Sequence, residues 1–265
     1  MTAPAAKGQG RPAIRLAAVL GLSLLGLLWP LLACAASLQV SPILLEFAPQ
    51  EQSQALWLTN SGHAPLRAQV RAMAWTQANG TETLSPTRDL VASPALIEIA
   101  PGAQQLIRIV RPRPATVDGE QAYRLIVDEL PDEVAQERTG LQFLLRYSIP
   151  AFVGPPAPVA AGVARAVAAP LPPTDVSALS GRLDAGELQV TNAGPRRVRI
   201  SQLEWVNADG SRVPLARGLL GYVLAGQRMH WPLTLPAQAR PGGVLEARFD
   251  NDVQAQTLPP AAPVR

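Results

Sequence analysis

Cysteine is almost missing from this chain of 265 residues: Cys34 is the only one, and it lies before the first acidic residue, Glu46. A chain without further cysteine holds no internal disulfide, no thiol nucleophile and no cysteine-ligated metal. Histidine is nearly as scarce, with only His63 and His230, and neither stands in the spacing of a metal site or a catalytic triad. His63 sits in a turn, Asn60-Ser-Gly-His-Ala-Pro65, and His230 beside Trp231, so both read as surface or packing residues. Lys7 is the only lysine; the rest of the 23 basic side chains are arginine. Any group that grips an anion here must therefore be a guanidinium, whose fork suits a carboxylate. No Gly-rich phosphate loop, GxSxG elbow or HExxH occurs. The carboxylate pairs Asp128-Glu129 and Asp132-Glu133 flank Leu130-Pro131 and read as a solvated turn. The residue inventory excludes the common enzyme sites, and neither a metal nor a cofactor is expected.

The charge is also less informative than it looks. The formal +3 rests on Lys7, Arg11 and Arg15; without them it is zero, so the basic balance does not point to nucleic acid. Those three residues precede the apolar run Leu16–Trp29, Pro30 and the small residues Ala33-Cys34-Ala35-Ala36. The pattern is that of a secretory signal over residues 1–36, cut after Ala35 or Ala36. A retained anchor, or acylation of Cys34 in the weak box Leu31-Leu-Ala-Cys34, are the alternatives.

No helix-period stretch of useful length follows. With 5% aromatic residues, 27 prolines and 20 glycines, the chain instead shows short alternating runs broken by turn residues. Ser37–Phe47, Ala55–Thr59, Leu66–Trp75, Leu96–Ile99, Gln105–Val110, Tyr123–Glu129 and Leu141–Val153 are expected strands. Seven strands in this length fit an immunoglobulin-like sandwich over 37–153. Residues 154–174 are rich in Pro, Ala and Val and read as a connection. A second β-sandwich is expected over 175–250, with Leu188–Thr191, Arg197–Val206, Val213–Leu215, Met229–Leu235 and Val244–Phe249 as strands, and a loose tail over 251–265. The fold class is all-β with two immunoglobulin-like domains.

The segment Leu141–Ile149 carries the most specific pattern: Leu141, Phe143, Leu145, Tyr147 and Ile149 share one face by period two. Such a row is either a half-buried sheet face or, at an edge, an apolar strand that another chain could pair with.

These segments, in this order, resemble the periplasmic PapD-like chaperones of pilus assembly, of the chaperone–usher systems. The resemblance is carried by Leu38–Phe47, Leu58-Thr-Asn-Ser-Gly62, Ile99-Ala-Pro-Gly102 with Gln105–Ile109, Tyr123–Pro131, Leu141–Val153 and, further on, Gly218–Gly226. Arg146-Tyr-Ser-Ile-Pro150 is most similar to the archaic branch. The resemblance implies two sandwiches in an L with a cleft between them, a periplasmic location, and pilus or fimbrial subunits and an outer-membrane usher as partners. It implies neither nucleic acid nor a small-molecule substrate, and leaves self-association of the unloaded protein open. Donor-strand complementation would insert Leu141, Phe143, Leu145, Tyr147 and Ile149 into a subunit's groove, each fully buried side chain contributing roughly 1.5–3 kcal/mol. The family's cleft Arg and Lys, which hold the subunit's terminal carboxylate, fall on Leu44 and Pro150 here. Arg146, Arg124 and Arg108 are the candidate substitutes. An adhesin or structural subunit of a surface appendage is the alternative; two domains and a lack of cysteine beyond Cys34 speak against it.

Overall fold

The computed structural model describes residues 38–113, 119–131, 143–154 and 174–261. The expected leader with Cys34, Leu141, the Asp132-Glu133 pair and most of the 154–174 connection lie outside them. All regular structure among the described residues is strand, in four sheets.

The first ten strands are β1 (Leu38–Ser41), β2 (Leu45–Phe47), β3 (Ser53–Asn60), β4 (Leu66–Ala78), β5 (Thr81–Pro86), β6 (Val91–Ser93), β7 (Leu96–Ile99), β8 (Gln104–Val110), β9 (Gln121–Leu130) and β10 (Arg146–Val153). They form a sheet β1-β3-β8-β6 and a second sheet β2-β10-β9-β4-β5, with β7 on β4. The expected single first strand is divided between the two sheets. Pro42 lies between the halves and has no N–H for a ladder, so β1 pairs with β3 while β2 pairs with β10. Alternation makes the core: Leu56, Leu58, Ile107, Ile109, Leu125 and Val127 are all fully buried between the sheets. Sequence reading also missed β5, which is exposed along its whole length and therefore shows no apolar period. It exists because Asn79 and Gly80 take positive φ and turn the chain back onto β4.

Seven further strands follow: β11 (Leu179–Asp184), β12 (Glu187–Asn192), β13 (Val198–Val206), β14 (Arg212–Val223), β15 (Arg228–Pro232), β16 (Val244–Phe249) and β17 (Gln256–Thr257). The sheets β11-β12-β15 and β14-β13-β16-β17 enclose Leu188, Val190, Ile200, Leu203, Val223 and Phe249. The tail expected to be loose is, over its described residues 251–261, tied down instead. β17 pairs with β16, Leu258 is buried against the core, and Gly181 N donates to Pro259 O at 2.7 Å.

One turn device occurs in both halves. Asn60 is fully buried; its Nδ2 donates to Ala64 O (2.8 Å) and Ile99 O (3.0 Å), and its Oδ1 accepts from Gly62 N. Asn192 does the same, donating to Arg196 O and Val223 O and accepting from Gly194 N. Thr-Asn-x-Gly is thus a buried side-chain staple that satisfies the backbone of the loops it closes.

Candidate functional site

β10 is held on one side along its whole length and on the other only in part. It pairs with β9 from Arg146 through Val153, whereas β2 covers only Ala151–Val153. Among the described residues, Arg146–Pro150 therefore has no strand on its outer edge. Immediately before it stand Phe143, 77% exposed, and Leu144, 46% exposed.

The row expected to share one function divides here. Ile149 is 4% exposed and belongs to this chain's own core, and Tyr147 packs on that core while its hydroxyl donates to Leu38 O at 2.6 Å. Leu145 is half-buried against the same core. Expecting Tyr147 and Ile149 to be offered outward is corrected accordingly. The same period that aligned them with Phe143 turns them inward once β10 closes its own sandwich. Phe143 alone of the described row is fully displayed.

The three candidate arginines part company. Arg108 lies on β8, between the buried Ile107 and Ile109, so it points outward from the other sheet and joins neither β10 nor its neighbours; that candidate is withdrawn. Arg146 is engaged by Asp128, which also binds Arg71 at 2.5 Å. The expectation that Asp128 belongs to a solvated turn fails with it, because Asp128 is only 7% exposed. Burial pushes the Asp128 carboxyl up, yet the hydrogen bonds from Arg71 and Arg146 outweigh it and hold the group below the usual carboxylate range.

Arg124 is different. It stands on β9 directly across from Pro150, where the resemblance leads one to expect a lysine. Its charge lies 3.7 Å over the Trp75 ring and 5.5 Å from the Tyr222 ring, and it forms no ion pair among the described residues. Burial presses its pKa below the ordinary arginine value, with Glu82 and Tyr222 acting against that.

Sequence reading did not foresee the junction on which Arg124 rests. Trp75 of β4, Phe152 of β10 and Tyr222 of β14 pack with centroids 5.5–6.0 Å apart, together with Leu224, Leu44 and Ala122. Buried Gln77 clamps the backbone beside them: its Nε2 donates to Tyr222 O (2.9 Å) and its Oε1 accepts from Leu224 N (2.8 Å). Arg197 pairs with Glu120 and Glu46 and lies 3.9 Å over Phe152. Burial alone would lower the Arg197 pKa; the two carboxylates reverse the sign and raise it. The β4–β5 turn adds a close approach: a Cβ on Gly80 would fall 1.4 Å from His230 Nε2, and its φ of +79° also favours glycine. His230 is thus a packing residue. The partners here are up to 151 positions apart, and no local pattern marks them.

With this geometry in view, residues 37–158 match the family described as pili and flagellar-assembly chaperone, PapD N-terminal domain. That match spans the first sandwich, and the pilus chaperones it describes are not enzymes. Three solved structures share the fold. A chaperone–tip adhesin pre-assembly complex from the archaic chaperone–usher Csu pili of Acinetobacter baumannii is 24% identical, with a TM-score of 0.61 over 84% of this chain and 97% of that one. The CupB2 chaperone of Pseudomonas aeruginosa is 17% identical, with a TM-score of 0.54 over 83% and 99%. The Salmonella enterica SafA pilin–SafB chaperone complex is 19% identical, with a TM-score of 0.55 over 80% and 89%. A sequence comparison with curated proteins matches none.

Proposed function

We propose that this protein is a periplasmic chaperone that lends the edge ahead of Ile149 to fimbrial subunits lacking a strand and passes them to an outer-membrane usher. One observation carries the reading: the edge Arg146–Pro150 has no strand partner among the described residues, and it is led by the exposed Phe143 and Leu144. Exposed apolar residues leading into an unpaired strand edge are normally blunted, so Phe143 and Leu144 left open ahead of this edge are best explained by a strand added from another chain. Leu141 and Phe143 fill the subunit's groove, with Leu145 following where the groove reaches it. Residues 1–36 act as the export leader, and the sandwiches of 37–153 and 175–250 flank the bound subunit. Arg124 replaces the missing cleft cations and receives the subunit's terminal carboxylate.

The test is co-expression with a fimbrial subunit encoded in the same genome, followed by purification through a tag on this chain. A soluble one-to-one complex with the parent, and loss of most of the subunit with Phe143→Asp, is the expected result. Equal subunit recovery with Phe143→Asp, or fibres built from this chain alone, overturns the reading.

A further inference from the structure

The last regular pair of the β9–β10 ladder is Asp128 with Arg146, and Asp128 also stands opposite Gln69 of β4. Its two oxygens serve different strands: Oδ2 accepts from Arg71 of β4 at 2.5 Å, and Oδ1 accepts from Arg146 of β10. One residue further on the ladder changes character. Glu129 N still donates to Leu145 O (2.9 Å), but Leu145 N donates to the Glu129 side chain (3.2 Å). Asp128 thus ties three strands together at the point where the exposed Phe143–Leu144 segment departs. Leu130 and Leu144 line an open cleft of about 430 Å³ together with Arg71, Asp128 and Arg146.

We propose that Asp128 is a positioning residue for the lent strand, a bracket that fixes the register in which residues 143–145 leave the sheet. This rests on reading β10 as that strand. The physical need is specific. An edge held from one side can slip, and a slip of one residue turns Phe143 to the opposite face. A backbone ladder repeats and tolerates such a slip. A buried carboxylate that must meet one cation on each neighbouring strand does not, because the slip carries Arg146 away from it. Arg146 therefore acts through Asp128 and not on the partner's carboxylate.

Hydrogen exchange on the free, full-length exported protein tests the bracket without any partner. Asp128→Asn should speed exchange at the Leu145, Tyr147 and Ile149 amides, which face β9, by about tenfold or more while leaving β3 and β8 unchanged. Arg146→Gln removes an exposed side chain without threatening the fold, and should do the same at the same amides. Retention of the co-expressed fimbrial subunit should fall roughly threefold or more in both variants, although Phe143 is intact. Unchanged exchange at these amides in both variants overturns the bracket, as does faster exchange with full subunit retention. If the parent retains no subunit, the proposed function fails instead, and the exchange result still decides whether Asp128 orders the segment.

Discussion

Single side chains in this molecule act mainly by satisfying buried backbone or by holding charge against aromatic rings. Asn60 and Asn192 each satisfy loop groups that lie inside the fold, so truncation strands several donors and acceptors at once. Asn60→Ala should lower stability by about 1–3 kcal/mol, read as a shift of the denaturant midpoint at constant m-value. Arg124 contributes differently. Its guanidinium lies over Trp75, so its loss removes a cation–π contact of about 0.5–2 kcal/mol from the fold, and any binding loss is counted beyond that. If it holds a subunit carboxylate, Arg124→Ala should weaken capture by an amount on the order of one charge-assisted hydrogen bond, about 1.5–3 kcal/mol, with exchange at Leu145, Tyr147 and Ile149 unaltered. Normal capture by that variant would remove Arg124 from the site.

At the scale of the element, β10 performs two tasks along one strand. Its second half is core: Ile149 and Val153 are buried and Ala151–Val153 is paired on both sides. Its beginning, with the residues that lead into it, is open. The two tasks separate by substitution. Ile149→Asp places an uncompensated charge in the core and should unfold the sandwich or lower its melting temperature sharply. Phe143→Asp should leave the melting temperature close to the parent value, because that ring is 77% exposed. Loss of subunit capture with an unchanged thermal transition therefore identifies Phe143 as a contact residue. Most of these elements were legible in the sequence, since period-two alternation in Leu66–Trp75, Tyr123–Glu129 and Val244–Phe249 states directly which side faces a core. β5, β6, β11 and β17 were not. β5 is exposed throughout, and β11 carries Ser180-Gly181-Arg182 at its centre, so pairing rather than pattern creates both.

Taken whole, the molecule depends on the junction where β4 and β10 meet β14. Gln77 supplies both hydrogen bonds to backbone groups of Tyr222 and Leu224, and Trp75, Phe152 and Tyr222 pack around them. Gln77→Ala leaves those buried groups unpaired and should lower the thermal transition of the half containing β14, separating it in calorimetry from that of the half containing β4. A single, unshifted transition would show that the clamp does not couple them.

The amino-acid order alone showed that this chain is all-β in two sandwiches, that it carries none of the common enzyme motifs, and that one apolar strand near residue 145 stands apart. Alternation and composition are local properties, and they survive without knowledge of neighbours. Only the tertiary structure decided which part of that strand is open, that Arg146 belongs to Asp128, and that Arg124 stands across from Pro150. Those facts depend on register and on side chains from remote strands meeting, and burial and ion pairing are properties of that meeting rather than of any one segment.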